Sequence, residues 1–173
     1  MSTLTYQSGA LTLDGLALDR LATEHGTPLY LYSGQGIESR YRALDAAWAA
    51  LPHQVLYSVK ACSSLGILAL LGRLGAGADV VSGGELVRAL RAGIPPGRIV
   101  FAGVGKTDAE LARAIEAEIG HINIESAGEL RRLVRLAARA RRPVRVAFRI
   151  TPQVVGGTHA YTETGTGVTK FGL

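Results

Sequence analysis

The chain has 173 residues, of which 47% are hydrophobic and 19% are charged, proportions typical of a soluble globular protein. Its single cysteine excludes an internal disulfide and a cysteine-cluster metal site, and no apolar stretch approaches the roughly 20 residues that cross a bilayer. The first residues lack the basic segment and apolar core of a secretion signal. We therefore expect a cytoplasmic protein with no membrane partner.

The formal charge of +5 raises the question of a nucleic-acid partner. The densest basic run, residues 131–142, lies within a predicted helix. Arginines recur every four residues on one face of this helix, and apolar residues occupy the other: Arg131, Arg135 and Arg139 against Leu130, Leu133, Val134 and Ala137. No aromatic side chains interleave with the arginines to stack on bases. The pattern predicts a solvated helix face and no nucleic-acid partner.

The first 54 residues carry short, irregular patterns. Residues 11–15 predict a short hairpin or strand end, and residues 18–25 a short helix. A β-rich run at 28–32 predicts an early strand. A helix follows at about 37–50, with Tyr41, Leu44 and Trp48 on one face.

From residue 55 onward a strand followed by a helix recurs about every 20–25 residues. The predicted strands are 55–59, 78–81, 99–102, 121–124 and 144–150. Three helix starts carry a capping box, in which a hydroxyl and a carboxylate accept from free amides of the first turn: Ser82-x-x-Glu85, Thr107-x-x-Glu110 and Ser126-x-x-Glu129. Glycines stand where left-handed helix ends are expected: Gly75, Gly93 and Gly120.

Alternating strands and helices predict an α/β fold with a parallel sheet. A doubly wound sheet and an eight-stranded barrel are both compatible with this pattern. The residues after the first strand of the repeat, 60–66, do not form the Gly-x-Gly-x-x-Gly fingerprint of dinucleotide binding.

Lys60 follows the apolar run 55–59. A lysine there leaves the end of a buried strand, which is how an amine is held for Schiff-base chemistry, where desolvation lowers its pKa. On position alone, a surface lysine at a strand end is the simpler interpretation.

A set of collinear segments changes that interpretation. They begin with Tyr-Ser-Val-Lys-Ala at 57–61 and Gly-Ala-Gly-Ala-Asp-Val-Val-Ser-Gly-Gly-Glu-Leu at 75–86, and continue at 98–106, 122–126, 157–161, 164–165 and 170–172. Together they resemble the alanine-racemase-like (fold type III) pyridoxal-phosphate decarboxylases over residues 28–173, and within that group the diaminopimelate decarboxylases most.

The resemblance implies a (β/α)8 TIM-barrel domain that binds pyridoxal 5'-phosphate, followed by a β-rich domain. Residues 1–33 would contribute to the β-rich domain, and 34–173 would form part of the barrel. Lys60 would form the internal aldimine with the cofactor, at the C-terminal end of a barrel strand where such enzymes carry their chemistry. The cofactor ring would accept the electrons released as CO2 leaves an amino-acid substrate.

Other residues match family positions around the cofactor. Arg149 would add positive charge near the ring, and Asp79 would help to order the basic groups there. The alternative for each is an ordinary buried ion pair or a strand-end charge. Ser82 and Glu85 also match positions near the pocket, although their capping box already explains them.

The remaining polar residues receive simpler interpretations. Lys106 follows the third strand and is interpreted as a surface residue at a helix entry. His121 begins a strand and is expected to be structural. His159 and Tyr161 lie in a Gly-rich and Thr-rich segment that is compatible with a substrate-facing loop.

Two departures from the family pattern stand out. Cys62 occupies a position where the family usually has asparagine, a much better hydrogen-bond partner, which questions the local support of Lys60. The chain also ends at Leu173, where a sixth barrel strand should begin, so we expect an incomplete N-terminal portion of about five and a half βα units. Because the unpaired strand edges of such a portion would have to be covered, we expect a homodimer or another edge-covered oligomer.

The resemblance implies a decarboxylase that converts meso-2,6-diaminopimelate to L-lysine and CO2. Decarboxylases of ornithine, arginine or carboxynorspermidine share the barrel and remain alternatives, as does a non-catalytic barrel fragment or binding module. A racemase is disfavoured because the Tyr-Gly-His-Gly run expected after its lysine is absent. We expect the isolated 173-residue chain to bind the cofactor weakly and not to turn over.

Overall fold

A three-stranded antiparallel sheet opens the computed structural model, which describes residues 4–151 and 172–173. Its strands are β1 (Leu4–Gln7), β2 (Ala10–Leu13) and β3 (Leu16–Ala17). They are joined by the two-residue turns Ser8-Gly9 and Asp14-Gly15, in which both residues have positive φ. This turn geometry matches the right-handed twist of paired strands. The hairpin predicted at 11–15 is confirmed.

The two helices that follow are α1 (Leu18–His25) and α2 (Gly34–Ala47). The strand predicted at 28–32 is wrong: these residues belong to neither sheet, and Tyr30 is 86% exposed. A β-rich sequence becomes a strand only against a neighbour, and none of β1 to β3 pairs with this segment. By its contacts the chain divides into Met1–Val55 and Leu56–Leu173. The assignment of residues 1–33 to a β-rich domain stays a prediction.

A parallel five-stranded sheet organises the second unit. Its strands are β4 (Leu56–Ser58), β5 (Gly77–Val80), β6 (Ile99–Phe101), β7 (His121–Ile124) and β8 (Val146–Phe148). The helices are α3 (Leu65–Leu74), α4 (Gly83–Arg91), α5 (Asp108–Glu116) and α6 (Ala127–Ala140). All five predicted strands of the repeat are confirmed, and their bounds differ from the predicted ones by a few residues at most.

Strand order distinguishes the two architectures that the sequence left open. The order in the sheet is β4-β5-β6-β7-β8, the same as along the chain. A doubly wound sheet reverses direction at a switch point, so its first strand lies inside the sheet. Unbroken sequential order is the progression of a barrel. Within the described residues the sheet therefore follows the barrel pattern.

The two faces of the sheet differ sharply. Strand residues of one face are fully buried beneath the helices: Ala78, Val80, Ile99, Phe101, Ile122 and Ile124. Their partners from the helices include Leu68, Leu86 and Leu111, which are also fully buried. Because side chains alternate along a strand, the polar residues between these core positions stand on the opposite face. Burial of the helix-covered face is the main stabilising contribution to this unit.

The three predicted capping boxes form to different degrees. Thr107 and Glu110 make the complete reciprocal pair at the start of α5. Ser82 and Ser126 each accept a hydrogen bond from the amide of the glutamate three residues later. Their glutamates, however, accept from the residue before the serine, so these boxes are shifted by one position. The starts of α4 and α6 are thereby bonded to the residue that directly follows the preceding strand.

Gly75 and Gly93 have positive φ at the ends of α3 and α4, as predicted. Gly120 is different, because the left-handed residue after α5 is Glu118. A Cβ on Gly120 would lie 2.7 Å from the carbonyl oxygen of Gly97 and 2.9 Å from that of Ile99. The prediction of a helix end at Gly120 is wrong, and the glycine is instead required by close backbone packing.

The exposed arginines of α6 are confirmed, since Arg131, Arg135 and Arg139 all lie on the surface. Leu133 is buried as expected, whereas Val134 is 59% exposed and lies outside the apolar face. In residues 4–151, no helix is long and apolar enough to cross a membrane.

Candidate active site

A depression of about 490 Å³ lies on the sheet face opposite the helices. Its polar lining residues are Asp79, His121, Asn123 and Arg149. They come from β5, β7 and the residue that follows β8. Parallel strands bring these side chains to one face, so the depression collects the polar groups that alternate with the core residues. The half-buried His121, which we expected to be structural, is one of them.

Lys60 lies just beyond the end of β4, in the 3-10 turn Val59–Ala61. Val59 is fully buried in the core, whereas Lys60 is exposed. The predicted strand-end position of Lys60 is confirmed, but the desolvation expected for its amine is not provided by the described residues. Lys60 does not line the depression itself.

Tyr57 closes the turn that carries Lys60. Its hydroxyl donates a hydrogen bond of 3.2 Å to the carbonyl oxygen of Cys62. Burial raises the pKa of Tyr57, the nearby Cys62 raises it further, and the hydrogen bond partly offsets both effects. The tyrosine therefore remains a protonated donor. Because the acceptor is a backbone oxygen, this support of the Lys60 turn does not depend on the side chain at position 62.

Asp79 connects the depression to the Lys60 strand. The hydroxyl of Ser58, two residues before Lys60, donates to Asp79 Oδ2 at 3.1 Å. The two residues are direct partners in the parallel register of β4 and β5. Asp79 is half-buried and lines the depression. The structure thus brings Asp79 beside the strand of Lys60.

Arg149 follows β8 and lines the same depression. Its Nη1 lies 3.2 Å from Glu125 Oε1, and its side chain is 35% exposed against 2% for that of Glu125. The alternative interpretation of Arg149 as a member of an ion pair is therefore realised. Arg149 lines the depression even though it forms this ion pair, so the ion pair is compatible with the predicted position near the cofactor.

Lys106 is the residue that the sequence interpretation missed. We interpreted it as a surface residue, but it is 3% exposed. Its Nζ forms a 2.7 Å ion pair with Glu129 Oε1, and the Phe101 ring centroid lies 5.7 Å from this nitrogen. The available signal was the pair Glu125 and Glu129 four residues apart after a buried strand, because buried carboxylates require a cation.

The remaining predicted site residues have different outcomes. Ser82 and Glu85 bond to the backbone at the start of α4, which agrees with their capping interpretation. His159 and Tyr161 lie outside the described residues. A second cavity of about 400 Å³, beside Ile115 and Arg145, contains none of the predicted site residues.

The residues present fit a phosphorylated aldehyde cofactor. Lys60 offers an exposed amine at the C-terminal end of a strand, and Arg149 offers a cation on the adjoining sheet face. An amine is the group that condenses with an aldehyde, and a guanidinium is suited to anionic oxygens.

Comparison with known proteins agrees with this fit. Residues 35–173 match the family described as pyridoxal-dependent decarboxylase, pyridoxal binding domain. Diaminopimelate decarboxylase of Pseudomonas aeruginosa is 47% identical over 173 residues, which are all of this chain and 42% of that protein. The chain thus spans about two fifths of the length of the relatives it matches.

Solved structures show the same similarity. Diaminopimelate decarboxylase of M. jannaschii in co-complex with L-lysine has a TM-score of 0.91 at 38% identity, covering 99% of this chain and 41% of that one. The Helicobacter pylori enzyme complexed with L-lysine has a TM-score of 0.87 at 40% identity, with 90% and 39% covered. The predicted fold and the pyridoxal cofactor class are confirmed. The chain belongs to the pyridoxal-dependent decarboxylase family, of which it carries part of the pyridoxal-binding domain.

Proposed function

We propose that the protein containing this chain is a pyridoxal phosphate-dependent decarboxylase that converts meso-2,6-diaminopimelate to L-lysine and CO2. The observation that carries the proposal is the 47% identity of the whole chain to a diaminopimelate decarboxylase, combined with an exposed Lys60 at a strand end. The related structures from H. pylori and M. jannaschii contain L-lysine, which would be the product of this reaction.

Each site residue has a distinct part in this proposal. Lys60 Nζ would hold the cofactor covalently and yield its place to the substrate amine. Arg149 would bring positive charge to the depression, and Asp79 would accept from Ser58 and so keep the Lys60 strand in register. When bound, pyridoxal phosphate supplies a conjugated ring that accepts the electrons of the broken carbon–carbon bond.

The supporting residues fix the Lys60 turn on both sides. Val59 anchors it in the core, and the Tyr57 hydroxyl bonds to the carbonyl of Cys62. An amine that must leave and re-form a covalent bond benefits from a backbone that does not move between the two states. This geometry supports assigning the attachment point to Lys60 rather than to the buried Lys106.

The proposal extends to location and assembly. We propose a cytoplasmic homodimer; the family resemblance supports both parts, and the single cysteine supports a reducing compartment. Light scattering of the full-length protein measures the oligomeric state, and a monomeric mass would contradict the dimer.

The experiment uses the longest polypeptide that contains this sequence. Pyridoxal phosphate is added to the wild type, to Lys60→Ala and to Lys60→Arg, which keeps the positive charge but forms no stable imine. We expect the visible absorbance of the lysine-linked cofactor in the wild type only. Equal spectra in all three proteins would remove Lys60 from the proposed role.

The same wild-type preparation tests the substrate. CO2 release is measured with meso-2,6-diaminopimelate, ornithine, arginine and carboxynorspermidine, and we expect the highest kcat/KM for diaminopimelate. A higher value for another amino acid would reassign the substrate. Absence of CO2 from all four, despite a lysine-linked cofactor, would indicate a non-catalytic binding protein.

A further inference from the structure

A series of four linked charged residues leads from the buried Lys106 to Arg149, which lines the depression. The three hydrogens of its ammonium group match three acceptors: Gly103 O at 2.6 Å, Asn123 O at 2.8 Å and Glu129 Oε1 at 2.7 Å. The side chains of Lys106 and Glu129 are only 1% and 6% exposed. Three hydrogen bonds to the ammonium group compensate for its lost hydration in the interior.

Glu129 connects Lys106 to the second carboxylate of the series, Glu125. Its second oxygen, Oε2, accepts a hydrogen bond of 3.2 Å from the backbone amide of Glu125. Glu125 is the first residue after β7, and Glu129 belongs to the first turn of α6. The Lys106–Glu129 pair therefore fixes the backbone from which the Glu125 side chain extends.

Glu125 joins three separate segments through one carboxylate. Oε1 accepts from the amide of Gly103 at 3.0 Å and from Arg149 Nη1 at 3.2 Å. Oε2 accepts from the amide of Gly172 at 3.0 Å. These donors follow β6 and β8 or belong to residues 172–173, which pair with the backbone after β8. The Glu125 side chain is 2% exposed, so its charge depends on these donors.

Arg149 is the only one of these four charged side chains that also lines the depression. A guanidinium is planar, and an ion-paired hydrogen bond on one nitrogen restricts the orientation of the whole group. In this series the two carboxylates are neighbours, and a cation pairs with each of them from the outer side. Losing Glu129 would remove the ion pair of Lys106, and losing Glu125 would remove the ion pair that restricts Arg149.

We propose that Glu125 is a positioning residue that holds Arg149 toward the cofactor, and that Lys106 and Glu129 hold Glu125. This inference rests on the proposed function, because the purpose of the arrangement is to orient Arg149 toward an anionic, aromatic cofactor. The three residues do not line the depression themselves, so they would act through Arg149.

The test is a double-mutant cycle in the longest polypeptide containing this sequence. Pyridoxal phosphate affinity is measured by absorbance titration for the wild type, Glu125→Gln, Arg149→Gln and the double variant. We expect Glu125→Gln to weaken affinity about tenfold, the size expected for a charged hydrogen bond. In the Arg149→Gln background the same change should have little further effect, since residues that act through one another are not additive.

Two additional variants help to distinguish a loss of cofactor affinity from a loss of folding. Glu129→Gln acts on Arg149 only through the backbone of Glu125, so we expect a smaller loss of affinity in the same direction. Arg142→Gln breaks the ion pair to Glu118, which lies away from the depression, and serves as the matched control. Urea unfolding of every variant separates a loss of stability from a loss of cofactor affinity.

The outcomes separate this inference from the proposed function. Equal loss of affinity from Glu125→Gln in both backgrounds would show a purely structural role and overturn the inference. Wild-type affinity in Arg149→Gln would also overturn it, because Arg149 would then not serve the cofactor. If the wild type forms no lysine-linked cofactor, the proposed function itself fails and the inference with it.

Discussion

Val59 and Lys60 are chain neighbours in opposite environments, one fully buried and one exposed. The buried side chain fixes the backbone, and the turn of the chain presents the amine on the surface. Tyr57 then closes the turn from the other side through its bond to Cys62 O. The position of the Lys60 amine therefore depends on Val59 and Tyr57, neither of which takes part in the reaction itself.

Removing the Tyr57 hydroxyl tests this dependence. We expect Tyr57→Phe to lower the free energy of unfolding by about 0.5–1.5 kcal/mol, since one half-buried hydrogen bond is lost while the ring stays packed. The absorbance of the lysine-linked cofactor should also fall, because the turn gains freedom. Tyr30→Phe, at a tyrosine that is 86% exposed, is the control, and equal effects of both changes would contradict the assigned support.

At the scale of secondary-structure elements, Glu110 joins two helix starts. Its Oε2 accepts from the amide and hydroxyl of Thr107 at the start of α5, and its Oε1 accepts from the amide of Gly83 at the start of α4. These amide donors, Thr107 first and then Gly83, hold the pKa of Glu110 below its ordinary value of 4.5. Burial opposes the two amide donors with a smaller effect, and the Thr107 hydroxyl and the charge of Lys106 add still smaller contributions that lower the pKa.

This pKa direction predicts an acid-dependent loss of stability. A carboxyl whose folded-state pKa is depressed stabilises the fold fully above its unfolded-state pKa, and the contribution disappears as the pH falls through the folded-state value. The difference in free energy of unfolding between the wild type and Glu110→Gln should therefore shrink between about pH 6 and about pH 3. Glu116→Gln removes a charge from the same helix as a control. A difference that stays constant with pH would contradict the assignment.

The elements differ in how well their sequences predicted them. The repeated strands were predictable because short runs rich in β-branched residues, placed between amphipathic helices, favour strands over other structures. The strand at 28–32 was not, because pairing depends on a neighbour that local sequence does not specify. Gly120 shows the same limit: its need for glycine comes from the carbonyl oxygens of Gly97 and Ile99, which lie about 20 residues away in sequence.

The residues of the candidate site also differ in how well the sequence predicted them. Lys60, Asp79 and Arg149 were predicted through a family pattern, and the structure places the last two on one depression. Lys106 was misassigned because two of its three acceptors, Asn123 O and Glu129 Oε1, belong to the next βα unit. No local rule distinguishes a buried ion-paired lysine from a solvated one at a helix entry.

At the scale of the whole molecule, the described sheet is open. Five parallel strands lie in barrel order, and β4 has a single neighbour within the described residues. Apolar side chains at and after β8 are uncovered: Val146, Phe148 and Ile150 are 37%, 52% and 73% exposed. An eight-stranded barrel closes only when its last strand meets its first. Among the described residues, one edge of β4 and these apolar side chains are therefore without a covering strand.

This openness predicts a difference between the 173-residue chain and the longest polypeptide containing it. We expect the 173-residue chain to bind pyridoxal phosphate at least about tenfold more weakly, the effect of losing even one charged hydrogen bond, and to release no CO2 from meso-2,6-diaminopimelate. Absorbance titration and CO2 measurement on both proteins check this, with Lys60→Ala as the baseline in each. Robust decarboxylation by the 173-residue chain would show that the groups present suffice for the reaction, and would contradict the expected weak binding and lack of turnover.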